Sequence, residues 1–283
     1  MRTVQTPDEM HSVCREVRRR GKRLGLVPTM GALHDGHLSL VRAARAQCDV
    51  VAVSLFVNPL QFGPNEDYAK YPRTLERDRG MLEAEQVDYL FAPSADQMYP
   101  PGATTFVEVA GLSEKLDGQS RPGHFRGVAT VVAKLFHVVE PDVAFFGQKD
   151  AAQLAIIRRM VRDLNMGMEV VGCPIIREVD GLALSSRNQY LDARQRLSAM
   201  VLYRSLCQVR ALFEGGEHRT AKLIECGKRT MAEEPAARLD YFAVVDPDTL
   251  DAVEEVCRTT LVAVAAWVGS TRLIDNVLLE SEK

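Results

Sequence analysis

Residues 50–57 read VVAVSLFV, a run in which Ser54 is the single polar side chain. A strand with one wet face alternates apolar and polar residues, so this run predicts a strand covered on both faces. Doubly covered strands belong to parallel sheets, and parallel strands are joined by crossovers long enough to hold a helix. The surrounding chain has the matching rhythm. Short apolar runs at 24–28, 87–91, 105–109, 142–146 and 168–173 read as further strands. Between them, helical periodicity predicts helices at 9–20, 37–47, 74–85, 128–139 and 151–164, the first capped by Thr6 or Asp8. The expected fold class is α/β, a doubly wound Rossmann-like parallel sheet built by right-handed crossovers.

After Ile175 the rhythm changes. A turn centred on Asp180-Gly181 is followed by helices at 192–213 and 220–233, then by strands at 239–245, 260–268 and 272–276. This predicts a second, smaller α+β C-terminal domain. The expected division is 1–175 and 176–283, with a hinge across 175–187.

Bulk properties narrow the class of partner. The chain has 283 residues, 46 % hydrophobic and 26 % charged, enough to bury cores in two domains. A net charge of -3 argues against nucleic acid, which is held by a surplus of Lys and Arg. The basic triplet Arg18-Arg19-Arg20 reads as a solvated helix end. Six cysteines lie far apart without a C-x-x-C pair, so neither a zinc cluster nor a disulfide scaffold is expected. The N-terminal MRTVQTPDEM lacks an apolar signal core, and no apolar run reaches the roughly 18 to 20 residues of a membrane span. The expectation is a soluble cytoplasmic protein with reduced thiols.

The segment Pro28-Thr29-Met30-Gly31-Ala32-Leu33-His34-Asp35-Gly36-His37 carries the strongest chemical signal. It sets an H-x-G-H between a strand and a helix. A helix N-terminus presents unsatisfied amides and a positive dipole end, which attract phosphate. Gly36, without a Cβ, allows close approach to the backbone. Two imidazoles beside such a site can donate to a phosphorus that gains negative charge as it becomes five-coordinate. A metal is the competing reading, but no third ligand lies nearby. The pattern is similar to that of the nucleotidyltransferase superfamily, and by itself says only that ATP is cleaved at its α-phosphorus. An enzyme that leaves the nucleotide on its product would carry the same signature.

Four further segments follow in order: Asn58-Pro59-Leu60-Gln61-Phe62, Arg121-Pro122-Gly123-His124-Phe125, Phe146-Gly147-Gln148-Lys149-Asp150 and Leu184-Ser185-Ser186-Arg187-Asn188. All are expected after strands, on one edge of the sheet. Together with PTMGALHDGH they closely resemble the pantoate–β-alanine ligase (pantothenate synthetase) family, from about Thr3 to Asn276.

The resemblance implies ATP-dependent condensation of (R)-pantoate with β-alanine, through pantoyl adenylate, with release of AMP and diphosphate. It places ATP against Met30, Gly31, Ala32, Leu33, His34, Asp35, Gly36 and His37. It also places the nucleotide against Gly147, Gln148, Lys149, Asp150, Ile176, Leu184, Ser185, Ser186 and Arg187. His37, His34, Lys149, Ser185 and Arg187 are the implied catalytic set. Gln61 and Gln153 are the implied substrate ligands, with Gln153 one turn into the helix after Lys149-Asp150. Mg²⁺ is implied with the triphosphate, held through phosphate oxygens and water rather than by the protein. Glu66 and Asp67 are loop acids within possible reach of the ion, with an exposed turn as the favoured reading. A homodimer is implied as well. One position departs from the family's common RPGHFDGV: Arg126 stands where an acidic residue is frequent.

Overall fold

The structure is a computed structural model that describes residues 1–64 and 66–281. Six strands, β1 (Arg2–Val4), β2 (Leu24–Thr29), β3 (Val50–Leu55), β4 (Tyr89–Phe91), β5 (Val143–Gly147) and β6 (Glu169–Cys173), form one sheet. Their order is β1-β4-β3-β2-β5-β6, and every neighbouring pair is parallel. The connecting helices are α1 (Pro7–Arg19), α2 (Asp35–Gln47), α3 (Leu75–Ala84), α4 (Ala95–Met98), α5 (Asp117–Ser120), α6 (His124–Val139) and α7 (Ala151–Asp163). β3 is buried at every residue, as a doubly covered strand requires.

The register shows where the sheet opens. β2 pairs with β3 from Leu24–Val50 through Thr29–Leu55, whereas its registered pairs with β5 are Gly25–Val143 and Leu26–Ala144. The strands part beyond Leu26, at the point where strand order reverses. Ligands of doubly wound sheets bind in the crevice at such a point. The segments after β2 and after β5 flank it.

The rest of the chain packs α8 (Ala193–Glu214) and α9 (Thr220–Ala232) on an antiparallel sheet of β7 (Ala237–Val245), β8 (Thr260–Val268) and β9 (Thr271–Leu279), in that order. Leu202, Leu223, Val262 and Val264 belong to its core. Val245, Leu250, Leu261 and Ala263 instead join the core of the large sheet, so the two layers share apolar contact.

Most predicted elements are present. Thr6 caps α1, its hydroxyl accepting from the Glu9 amide at 3.3 Å. Arg18 to Arg20 end that helix on its solvated side, with Arg20 paired to Glu16 at 2.9 Å. The Asp180-Gly181 turn joins a short hairpin closed by the Arg177–Ala183 bridge, with Gly181 at φ 92°.

Four expectations need correction. Segment 105–109 is not a strand: the Thr130 hydroxyl lies 3.0 Å from the Val107 amide and 3.4 Å from its carbonyl, where a ladder partner would be. β1 is present at Arg2–Val4, too short to show a period. α6 begins at His124, four residues before the apolar run that announces it. Of the five segments placed after strands, Arg121–Phe125 instead runs from the end of α5 into the first turn of α6, and Leu184–Asn188 follows the small hairpin. Both reach the crevice from the side rather than from the sheet edge.

Candidate active site

His34 is the N-cap of α2 and His37 is its third residue, and the two imidazoles form a reciprocal capping box. The Gly36 amide donates to His34 Nδ1 at 3.2 Å, and the His34 amide donates to His37 Nδ1 at 3.4 Å. Each Nδ1 therefore accepts, which leaves the neutral ring's proton on Nε2. Gly36 matters sterically here: a Cβ would meet the His34 ring at 2.9 Å. The rings stand 4.1 Å apart and both line the crevice. Burial, then the neighbouring Lys149 charge, lowers His34 to about 4; burial, then His34, lowers His37 to about 3. Near neutral pH the pair is two uncharged N–H donors.

The backbone amides that the sequence offered to phosphate are already engaged. Gly31 donates to Thr29 Oγ1, Ala32 and Leu33 donate to the two oxygens of Asp78 at 2.8 and 2.9 Å, and His37 donates to the His34 carbonyl. Asp78 lies on α3, is 1 % exposed and takes the Thr74 hydroxyl as well. It holds Ala32 in a left-handed conformation, φ 50°, that a non-glycine residue avoids. These four amides are committed to the turn itself, whereas the two imidazole Nε2–H groups are not.

Opposite the histidines, Gln61 ends a 3₁₀ turn at Pro59–Gln61. Its Oε1 accepts from Asn58 Nδ2 at 3.1 Å and its Nε2 points to Met30 Sδ at 3.0 Å. Asn58, 1 % exposed, also donates to the Gly127 carbonyl and accepts from the Tyr99 hydroxyl. Gly127 lets this turn sit directly on α6, because a Cβ there would lie 2.3 Å from the Leu60 carbonyl oxygen. Below the turn, His124 Nδ1 lies 2.8 Å from the Gln61 carbonyl while its Nε2 faces Arg121 at 2.9 Å. A guanidinium only donates, so this histidine carries its proton on Nδ1, the tautomer opposite to that of His34 and His37. Burial and then Arg121 lower it to about 3.

The remaining wall comes from 184–188. Ser185 Oγ accepts from the Arg187 amide, and Ser186 Oγ lies 3.3 Å from the Tyr71 hydroxyl. Arg187 forms a two-bond pair with Asp67, at 3.0 and 3.2 Å. Arg121 pairs with Glu66 at 2.6 and 2.7 Å. Glu66 and Asp67 are therefore half-buried partners of active-site arginines, not an exposed turn. The pocket at the histidines, about 220 Å³, shares Arg121, Lys149, Gln153 and Arg187 with a second cavity of about 710 Å³ that is also lined by residues of β9.

Residues 2–278 match the model of the pantoate-beta-alanine ligase family. The chain belongs to that family. It is 59 % identical to a pantothenate synthetase of Koribacter versatilis across 99 % of this chain and 97 % of the relative. It is 56 % identical to one from Thermotoga neapolitana over 99 % of this chain and all of the other. Among solved structures, pantothenate synthetase from Thermus thermophilus superposes with a TM-score of 0.93 at 48 % identity, covering 98 % of this chain and 99 % of the other. A pantoate-beta-alanine ligase from Francisella tularensis, complexed with Beta-gamma ATP and Beta-alanine, gives 0.80 at 35 % identity over 98 % and 97 %.

Of the positions the ligase family implies, Met30, His34, Gly36, His37, Gln61, Gln153, Gly147, Lys149 and Asp150 line the cavity, as do Ile176, Leu184, Ser185, Ser186 and Arg187. Gly31, Ala32, Leu33, Asp35 and Gln148 do not line it. Gly31 to Leu33 shape the turn from behind, and the Ile176 carbonyl is taken by the Leu184 amide. Arg126 is exposed and stacks on Phe106 at 4.0 Å, away from the cavity. Sequence reading missed Asp78 and Tyr71, gave Asn58 no role of its own within its segment, and took the two arginine partners, Glu66 and Asp67, for an exposed turn. A lone acid on a helix and an Asn before Pro carry no motif of their own.

Among the described residues no group of three or more His, Cys, Asp or Glu is placed to hold a metal ion. Among the same residues, no helix is long and apolar enough to cross a membrane.

Proposed function

We propose that this chain joins (R)-pantoate to β-alanine at the expense of ATP, through a pantoyl adenylate kept in the crevice between β2 and β5. A carboxylate is a poor acyl donor because oxide would have to leave. Its oxygen attacks the α-phosphorus, the bond to the bridging oxygen of the β-phosphate breaks, and diphosphate departs with that electron pair. The neutral amine of β-alanine then attacks the activated carbonyl, AMP leaves, and the nitrogen loses a proton to solvent.

The observation that carries this reading is the His34–His37 capping box with both Nε2–H groups free to serve the crevice. His34 and His37 hydrogen-bond the phosphate oxygens that gain charge, as preorganised donors that need no proton transfer. Diphosphate is already a good leaving group, so a literal proton donor at His37 is not required. Lys149 supplies a compact charge and Asp150 an acceptor for ribose hydroxyls. Ser185, Ser186 and Arg187 wrap the triphosphate once Arg187 exchanges Asp67 for phosphate. Gln61 and Gln153 orient pantoate through amides that both donate and accept. Mg²⁺, when present, would supply charge neutralisation on the triphosphate alongside Lys149 and Arg187. The described side chains supply cations and N–H donors rather than a carboxylate cage. Residues 1–175 form the nucleotide- and pantoate-binding part and 176–283 the part that closes over it, excluding water from the anhydride. The family resemblance supports a homodimer in the cytoplasm.

The test is isotope exchange. Pantoate plus ATP, without β-alanine, supports diphosphate–ATP exchange, and free AMP appears only when β-alanine is added. Absence of exchange would remove the adenylate step. A product that retains the nucleotide would instead make this a nucleotidyltransferase.

A further inference from the structure

The edge strand β9 carries two consecutive buried polar residues, Asp275 and Asn276, at 4 % and 2 % exposure. Burying an amide among apolar neighbours costs free energy unless its hydrogen-bonding groups find partners. Asn276 spends them on the nucleotide turn of the other sheet. Its Nδ2 donates to both the Gln148 and the Lys149 carbonyls, each at 2.9 Å, and its Oδ1 faces Gln148 Nε2 at 3.4 Å. Those carbonyls belong to the 3₁₀ turn Gln148–Asp150, between β5 and α7. The neighbouring Asp275 takes both terminal nitrogens of Arg177, at 2.6 and 2.9 Å, and Arg177 Nη2 also donates to the Asn276 carbonyl. Arg177 opens the segment that leads to Leu184–Arg187. One strand of the small sheet therefore anchors both ends of the nucleotide site.

We propose that Asn276 is a positioning residue for Lys149: its amide fixes the backbone from which the lysine reaches phosphate. The claim rests on the reading of Lys149 as a phosphate ligand. The two donated bonds suit an amide. Asp at the same place would be nearly isosteric but could only accept, turning two attractions into repulsions against carbonyl oxygens. Ala would remove both donated bonds from the turn, and Ser would keep one donor.

Replacing Asn276 by Asp or Ala raises the KM for ATP about tenfold, with the pantoate KM within about twofold, as expected from losing two buried hydrogen bonds. Asn276→Ser gives a smaller rise, about threefold, and carries the test should the other two fail to fold. Val277→Ala is the control, since Val277 is 7 % exposed in the same strand and packs in the small sheet's core. It lowers the melting temperature and leaves the ATP KM unchanged. Three outcomes overturn the proposal: a wild-type ATP KM in the Asn276 variants, equal rises for ATP and pantoate, or the same ATP shift in Val277→Ala. ATP affinity by calorimetry reads the same contrast without turnover. Loss of pantoate-dependent exchange in the wild-type protein, by contrast, defeats the assigned reaction and leaves the calorimetric test of Asn276 standing.

Discussion

Asp78 and Asp67 each fasten a loop of this active site, and they do so on opposite terms. Asp78 is buried and spends its oxygens on the Ala32 and Leu33 amides and the Thr74 hydroxyl. Asp67 is half-buried and holds the Arg187 guanidinium, which is proposed above to turn to phosphate. A carboxylate sunk among amides has no competing partner and stays. A carboxylate paired with a phosphate-binding arginine at a cleft mouth is displaced when phosphate arrives. On the proposed reading, one side of the site persists and the other is exchanged. The same contrast separates the histidine turn, locked by its own capping box, from the 184–188 loop, tied across to Asp67 and Tyr71.

The persistent side should carry the largest effects. His37→Ala removes a transition-state donor and costs at least ~100-fold in turnover; a near-normal kcat in steady-state assays would break the assignment. Asp78→Ala strips a buried charge-assisted set of bonds and lowers stability by about 3 kcal/mol, read by urea denaturation. A loss under about 1 kcal/mol would put Asp78 in the same class as Asp67. Gln61→Ala raises the pantoate KM about tenfold while the ATP KM moves less. Equal shifts would mean that the 3₁₀ turn serves nucleotide and acid alike.

Proton linkage sharpens the same contrast. Burial holds His34 and His37 neutral, lowering them to about 4 and about 3, well below an imidazole's ordinary 6.5. The unfolded chain therefore binds more protons than the folded one between about pH 3 and 6.5. The stability these two contribute is fully present above the unfolded value and is lost as pH falls through that window. In the free protein, the imidazole NMR signals of both residues stay in the neutral form at pH 5. Titration near 6.5 would show solvated rings. The smallest effect belongs to the exchangeable side. Asp67→Asn changes stability by less than about 1 kcal/mol and does not raise the ATP KM, because Arg187 is then free for phosphate. A raised KM would show that Asp67 helps bind nucleotide rather than holding its place.

How much of this was legible beforehand follows the same division. β3 announced itself because both its faces are buried, and the H-x-G-H stood out because two like residues flank a glycine at a strand-to-helix junction. Segment 105–109 misled because Thr-Phe-Val-Glu-Val has strand propensity whether or not a neighbour is there to pair with, and Thr130 took the partner's place. The placement of Lys149, Gln153 and Arg187 in one cavity came from motif order. What holds them did not. Asp78 is 46 residues from Ala32, and Asn276 is 127 from Lys149. Neither sits in a local pattern, because the requirement each meets is created only when distant backbone arrives without a partner. The capping box was hidden for another reason: histidine is an unusual cap, so its ring nitrogens read as chemistry alone when they are also structure.

The most direct test is a crystal structure with a non-hydrolysable ATP analogue and pantoate bound. The account predicts the Nε2 atoms of His34 and His37 within about 2.7–3.2 Å of the phosphate oxygens around the scissile bond, each Nδ1 still on its backbone amide. Rings turned so that Nδ1 meets phosphate, or a triphosphate bound out of their reach, would contradict it.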